Sequence, residues 1–426
     1  MRFEEALAEL DSRQPSRMLP DLSRITALAT MLDDPQLAYP SIHVTGTNGK
    51  TTTSRLVTAL ACAHGMRTGL YTSPHLESAT ERISECLEPI SEEEFAEQYG
   101  YLLPFLREVD ARGECVTYFE TLTALAYLWF ADRPIALGVF EVGMGGEWDA
   151  TNLVGGDVAV ICPIALDHPE LGPTIADKAR EKAAIIKQGK VAVVREQPEE
   201  ALGIVEERAQ KVGARLLLED RDFGLENRVP AVGGQVITVR GLHADYEATF
   251  LPMLGEHSAR NAAAAVAAFE SFVDRPLGGA GMRRALGGTT SPGRLEVVAR
   301  HPLVVLDGAH NPAGAQALAE AVAESFSWDE LVLVVAVSAD KDFAGVLEAL
   351  APLADHVFAT RYEGGRGLLP EDLAEACLAA GMEVEQAHGM AQALDAAVAA
   401  AAEGDLVLVT GSLFGVAEAR RLISAR

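Results

Sequence analysis

The stretch His43-Val44-Thr45-Gly46-Thr47-Asn48-Gly49-Lys50-Thr51-Thr52-Thr53 constrains the fold of this chain more than any other. It follows an apolar run, Ser41–Thr45, that reads as a buried strand, and it opens a helical pattern over Thr51–His64. A glycine-rich turn in that setting lets backbone N–H groups close around phosphate oxygens, with the helix N-terminus adding partial positive charge. Thr47, Asn48 and Gly49 line such a loop, Lys50 reaches the β- and γ-phosphates, and the Thr51 hydroxyl is placed to help hold Mg²⁺. The match to G-x-x-x-x-G-K-[ST] is incomplete, because Val44 stands at the first glycine position and the glycine has moved to Gly46. Strand, loop and helix in this order imply a layered α/β fold with a largely parallel sheet.

Further apolar runs sustain that rhythm. Thr68–Thr72, Ile135–Glu141, Val158–Pro163 and Lys190–Val194 read as buried strands, with helical patterns over Glu92–Asp110 and Phe119–Phe130 between them. From Ala214 to Leu251 the pattern shortens and alternates, as in Gln235-Val236-Ile237-Thr238-Val239, and reads as antiparallel strands ending the first sheet. Asn261–Val273 is an alanine-rich helix. The segment Gly287-Gly288-Thr289-Thr290-Ser291-Pro292-Gly293 is dense in breakers, and the α/β rhythm restarts after it with Leu303–Leu306, Leu331–Val337, His356–Thr360 and Asp405–Thr410. The expected organisation is a phosphate-loop α/β domain over 1–292 and a smaller Rossmann-like α/β domain over 293–426. A length of 426 residues suits two or three domains at about 150 residues each.

Composition excludes several function classes. With 35 Lys+Arg against 62 Asp+Glu the net charge is −27, which disfavours nucleic acid and anionic membrane surfaces. The most apolar stretch is broken by Asp132, Arg133 and Pro134, and Met1–Glu5 is acidic rather than signal-like. Five cysteines without a C-x-x-C pair are poor material for a disulfide framework or a zinc site, so a reducing, cytoplasmic setting is expected.

Other residues suit anion and metal chemistry. Ser73 and Glu141 end predicted strands, where open α/β sheets place ligands, and His168 lies shortly after Val158–Pro163. Read singly, a strand-end Glu or a loop His is more often a structural hydrogen-bonding residue. Arg294 suits phosphate through its planar fork of donors and Asp307 suits a ribose hydroxyl. Asn261, at the start of the alanine-rich helix, suits an N-cap on local grounds. Trp148 could stack on a flat heterocycle while Asp149 accepts from its amino groups, although core packing explains Trp148 and Phe119 as well.

In order along the chain, these segments resemble the folylpolyglutamate synthase and dihydrofolate synthase family of the Mur ligase superfamily. The resemblance rests on Gly46–Thr51, Tyr71-Thr72-Ser73-Pro74-His75-Leu76, Glu81-Arg82-Ile83, Thr117-Tyr118-Phe119-Glu120, Glu141-Val142-Gly143-Met144-Gly145-Gly146 and Trp148-Asp149-Ala150-Thr151-Asn152. It continues through Asp167-His168, Glu181-Lys182-Ala183, Pro292–Glu296, Asp307-Gly308-Ala309-His310-Asn311-Pro312 and Asp340-Lys341-Asp342. It implies an ATP-dependent ligase that joins L-glutamate to dihydropteroate or to a folate through an acyl phosphate. By resemblance, Ser73, Glu141 and His168 hold magnesium at what are expected to be two sites, and Lys182 is carbamylated. Asn261, Arg294 and Asp307 complete the ATP site, and His310 approaches the γ-phosphate. Thr117, Tyr118, Phe119, Glu120, Trp148, Asp149 and Ala150 hold the pterin, with Asp21-Leu22-Ser23 a weaker match.

The chain departs from the family pattern between His168 and Lys182, which is one residue short with Pro169 at a common threonine position, and at Ser258, where glutamine is frequent. The expected partners are small molecules, ATP, L-glutamate and dihydropteroate or folate, acted on by a monomer. Two alternatives remain: a Mur-type ligase acting on a nucleotide-linked sugar, and a phosphate-loop switch protein, for which no N-K-x-D base-recognition sequence is present.

Overall fold

A computed structural model describes residues 1–14, 20–113 and 115–425. The first sheet contains β1 (Ser41–Thr45), β2 (Thr68–Tyr71), β3 (Ile83–Glu85), β4 (Glu88–Pro89), β5 (Leu137–Glu141), β6 (Val158–Ile161), β7 (Val191–Val194) and β8 (Arg215–Leu218). Its order is β4-β3-β2-β5-β1-β6-β7-β8, parallel from β2 to β8 with an antiparallel β3–β4 edge. β1 is buried along its whole length, so its Ser41, His43 and Thr45 face packed layers rather than water. It lies between β5 and β6, with β2 reached on one side and β6 to β8 on the other. That reversal opens a crevice at the carboxyl ends of the strands.

Helices cover both faces. Lys50–Ala63 and Glu256–Val273 pack with the β1, β5 and β6 side chains on one face, while Glu92–Asp110 and Tyr118–Asp132 bury the aromatic cluster of Tyr71, Tyr127, Phe130 and Phe140 on the other. Capping boxes pair Ser91 with Glu94, Thr117 with Glu120 and Thr174 with Asp177 at helix starts. The run Ala262–Ala268 is buried all round, and its small side chains admit close approach by neighbouring layers.

The Ala214–Leu251 region corrects the sequence-based expectation. β8 joins the first sheet in parallel, while β9 (Gly224–Ala231), β10 (Gly234–Arg240) and β11 (Asp245–Leu251) form a separate antiparallel sheet. The β9–β10 hairpin turns through Val232-Gly233, where Gly233 has φ 75°. The residues on its inner face, Ile237, Val239 and Leu251, bury against the alanine-rich helix, so this sheet needs no continuation of the first.

The helix expected from Asn261 begins at Glu256 with Gly255 as N-cap, so the capping role considered for Asn261 does not hold. Gly287 and Gly288 end the helix Gly279–Gly288, and the following segment is fastened to the phosphate-loop helix: Thr52 Oγ1 donates to Ser291 Oγ at 3.2 Å and Arg55 Nε to the Thr290 carbonyl at 2.9 Å. Beyond it β12 (Glu296–Arg300), β13 (Leu303–Leu306), β14 (Leu331–Val335), β15 (His356–Ala359), β16 (Val384–Gln386) and β17 (Leu406–Thr410) form a sheet of order β12-β13-β17-β14-β15-β16. Only β12 in this sheet runs antiparallel.

Cysteine pairing is a second correction. Cys62, at the end of helix Lys50–Ala63, is disulfide-bonded to Cys86 beyond β3, with Cα atoms 5.7 Å apart. The two lie on different elements 24 residues apart, a proximity that spacing could not reveal. With it goes the cysteine argument for a reducing compartment. No helix of the described residues is long and apolar enough to cross a membrane.

Candidate active site

The carboxyl ends of the two sheets face each other across a cavity of about 480 Å³. One wall is Thr47–Thr52, Ser73, Glu141 and the loop after β6; the other is Arg294, the turn Asp307–His310 after β13, Ser338–Lys341 after β14 and Ser412–Phe414 after β17.

Two glycines set the loop. Gly46 has φ 144°, and a Cβ there would meet Cys162 Cβ at 2.5 Å. Gly49, the N-cap of Lys50–Ala63, has φ 89°, and a Cβ there would meet Asn261 Oδ1 at 2.6 Å. Lys50 Nζ donates to the carbonyls of Gly46 at 3.1 Å and Thr47 at 3.2 Å. Thr47 is pinned from the β6 side, its N–H donating to the Pro163 carbonyl at 2.9 Å and its hydroxyl to that of Ala165 at 3.1 Å. Asn48 exchanges amide hydrogen bonds with Asn311 at 3.1 and 3.0 Å, so the loop is tied directly to the opposite wall.

Beneath the loop Glu141 is buried; its Oε1 accepts from the Thr51 hydroxyl at 2.8 Å and its Oε2 from the Ser73 N–H at 3.4 Å. Burial raises its carboxyl pKa, and Lys50 opposes that. A buried carboxylate beside two hydroxyl residues suits a hard cation with oxygen preference. Among the described residues no group of three or more His, Cys, Asp and Glu side chains is arranged to hold a metal ion.

His168 takes φ 51° at the start of the turn Pro169–Leu171, and burial pushes its imidazole down to about 4, leaving it neutral. The loop it begins is held by Lys178, a buried side chain whose Nζ donates to the carbonyls of His168 and Gly172, each at 2.5 Å. Lys182 lies behind the loop, away from the cavity lining, with Nζ donating to the Gly46 carbonyl at 3.0 Å. Burial, reinforced by Lys50, pulls its ammonium down to about 7.

Across the cleft His310 Nδ1 lies 2.8 Å from the Gly308 carbonyl, and its Nε2 lies 3.6 Å from Asp167 Oδ2. Lys341 Nζ donates to Asp167 Oδ1 at 2.6 Å. Burial would raise the Asp167 carboxyl, but His310, His168 and Lys341 outweigh it and hold it well below the usual carboxylate range. Asp307 is buried, and its oxygens accept from the N–H groups of Leu295 at 2.9 Å and Ala309 at 2.8 Å. It shapes the turn, with one lone pair per oxygen left for a ligand. Arg294 packs over Gly308, where a Cβ would meet its NH1 at 2.5 Å.

The expected pterin residues do not line this cavity; they adjoin it through Gly143, where a Cβ would meet Phe119 at 2.6 Å and Asp149 Oδ2 at 3.2 Å. Thr117 and Glu120 form a helix cap, and Glu120 pairs with Arg24 at 3.1 Å. The Tyr118 ring lies under the Arg82 guanidinium at 5.3 Å. Ala150 accepts from the Tyr127 hydroxyl at 2.7 Å. Asp149 is buried and engaged by its own loop, with Oδ2 accepting from the Met144 N–H at 3.0 Å and Oδ1 from the Thr151 N–H at 2.9 Å. Trp148 is 46% exposed beside it, a surface that can stack a ring.

Sequence reasoning missed Lys178, Arg195, Asn311 and Lys341 as site residues. Asn311 and Lys341 fell within quoted motifs, and Arg195 directly follows a strand end, which is a usable signal; nothing local distinguishes Lys178.

Comparison with known proteins agrees with this geometry. Residues 44–269 match the Mur ligase middle domain and residues 293–413 the Mur ligase, glutamate ligase domain. The chain is 41% identical to a dihydrofolate synthase/folylpolyglutamate synthase of Mycobacterium tuberculosis, over 97% of this chain and 92% of that protein. It superposes on a Mycobacterium tuberculosis folylpolyglutamate synthase complexed with ADP with a TM-score of 0.95 at 40% identity, covering 99% of this chain and 98% of the other. With Escherichia coli FolC in complex with DHPP and ADP the TM-score is 0.89 at 31% identity, covering 100% and 98%. A phosphate loop facing a second α/β sheet, matched along nearly its full length, places the chain in the folylpolyglutamate synthase/dihydrofolate synthase family of the Mur ligase superfamily.

Proposed function

We propose that this chain uses ATP to join L-glutamate to dihydropteroate, to a folate, or to both. The observation that carries the reading is the cleft itself: a phosphate loop on one wall faces Arg294, His310 and Lys341 on the other. A carboxylate oxygen attacks the γ-phosphorus, ADP departs, and an acyl phosphate forms. The glutamate amine then attacks the carbonyl carbon, phosphate leaves, and the amine loses a proton. Catalysis of this kind consists of alignment and charge neutralisation. Lys50 Nζ lies over the loop carbonyls of Gly46 and Thr47 and would exchange them for phosphate oxygens, with Arg294 on the opposite wall.

Glu141, Thr51 and Ser73 are the oxygen donors that would hold Mg²⁺, with His168 as an unusual nitrogen ligand; such an ion would neutralise charge on the transferring phosphoryl group. A lysine titrating near 7 is partly free amine at neutral pH, the form that reacts with CO₂, which supports carbamylation of Lys182. We take 1–292 and 293–426 as the two domains, working as a monomer on small anions, and the net charge of −27 supports the absence of nucleic acid.

The test is mass-spectrometric detection of glutamylated product from ATP, L-glutamate and either dihydropteroate or tetrahydrofolate. Product and ADP should form together, and Lys50→Ala should lower turnover by roughly 10²-fold or more while the protein stays folded. ADP release stimulated only by a muramyl nucleotide would instead favour the Mur-type alternative.

A further inference from the structure

Arg195 follows β7 directly and lines the cleft, yet its side chain is only 4% exposed. Its Nε donates to Glu219 Oε2 at 2.8 Å and its NH1 to Asn261 Oδ1 at 2.5 Å. Glu219, with a side chain 0% exposed, also accepts from Arg260 Nε at 2.8 Å and from the Glu196 N–H at 2.7 Å. Burial would raise the Glu219 carboxyl, but the two guanidiniums hold it below its ordinary value. Arg260, Glu219 and Arg195 thus form a fixed chain that ends on Asn261. A guanidinium only donates, so its partner on Asn261 is the carbonyl oxygen, and the amide has one orientation. On its other side that amide packs against Gly49, where no Cβ would fit.

We infer that Arg195 is a specificity-determining positioning residue, locking the Asn261 amide so that the site takes an adenine nucleotide in preference to a guanine one. This rests on the reading of Asn261 as a nucleotide-binding residue. The remaining lone pair of Oδ1 and the Nδ2 hydrogens present an acceptor beside a donor. That pair matches the N6 amino group and N7 of adenine. Guanine offers O6 and N7 on the same edge, both acceptors, so the locked carbonyl would oppose O6 with no hydrogen between them. A freely rotating amide could turn Nδ2 toward O6; Arg195 prevents that turn.

The experiment compares ADP release with ATP and with GTP for the wild type, Arg195→Met, Arg195→Lys and Asn261→Ala, each checked for folding by thermal melting. Arg195→Met is expected to raise KM for ATP and to lower the ATP-over-GTP ratio of kcat/KM by roughly 10-fold or more. Its kcat at saturating ATP should stay within about threefold of wild type. Arg195→Lys, which keeps a donor, should fall between the two. An unchanged ratio in folded Arg195→Met, with a lowered ratio in Asn261→Ala, overturns the inference and leaves Asn261 on the nucleotide. An unchanged ratio in Asn261→Ala overturns the reading beneath it as well. If Arg195→Met does not fold, Glu219→Gln, which loosens Arg195 without removing it, decides by the same ratio.

Discussion

The Gly46 carbonyl accepts from two ammonium groups, Lys50 at 3.1 Å and Lys182 at 3.0 Å. Lys50 lines the cleft, whereas Lys182 is sealed behind the loop, and the burial that separates them lowers the second to about 7. Between about pH 7 and the ordinary lysine value of 10.5, folded Lys182 has released a proton that the unfolded chain still holds. Stability therefore rises with pH across that window, and the penalty is complete below it. Urea unfolding of wild type kept free of CO₂, so that Lys182 is the unmodified amine, against Lys182→Met should show the difference moving in favour of the wild type from pH 7 to 9; a pH-independent difference would contradict the burial argument. Lys50 was legible from its spacing to Gly46 and Gly49, because phosphate binding demands that local order. Lys182 was legible only through resemblance, and Arg195 only by its place after a strand end, since the acid and amide that give it a role come from the residue after β8 and from a distant helix.

At the level of elements, buried parallel strands announced themselves as apolar runs, and β1 and β13 fell on their expected residues. Short strands at or beside the sheet edges, β3, β4, β12 and β16, carry too little pattern to stand out, and the β9–β11 sheet lies in a different layer from the one expected because alternation reveals one buried face but not what covers it. The loop from His168 to Gly172 depends on Lys178 in the same way, through a helix that follows it in sequence. Lys178→Met keeps the stem and removes the donors, leaving the Gly172 carbonyl without its lysine partner and the His168 carbonyl with the Leu171 N–H alone, at a cost of about 1–3 kcal/mol. Amide exchange at Leu171 and Gly172, whose N–H groups bond within this turn, should accelerate in the variant. Unchanged exchange would show that the turn holds itself.

For the whole molecule, side-chain polar contacts cross between the two halves, Asn48 with Asn311, Asp167 with Lys341, Arg228 with Glu324 and Arg420 with Glu77, while Leu76 and Leu254 pack against the far core. Such an interface is suited to rigid-body movement as nucleotide enters and leaves. The Cys62–Cys86 bond acts elsewhere, within the first sheet's layers, closing a loop of 24 residues. Replacing both cysteines by serine should lower unfolding free energy by about 3 kcal/mol while leaving turnover near wild type. An equal stability in urea would indicate that the bond does not form in solution. The acidic surface, net −27, repels every substrate the cleft would take, so attraction falls to Lys50, Arg294, Lys341 and the helix N-terminus. The most direct test of one cleft activating a carboxylate with ATP is the fate of its oxygen. Dihydropteroate or tetrahydrofolate labelled with ¹⁸O in the acceptor carboxylate is expected to deliver one labelled oxygen to each phosphate released; phosphate free of label would contradict the acyl-phosphate mechanism.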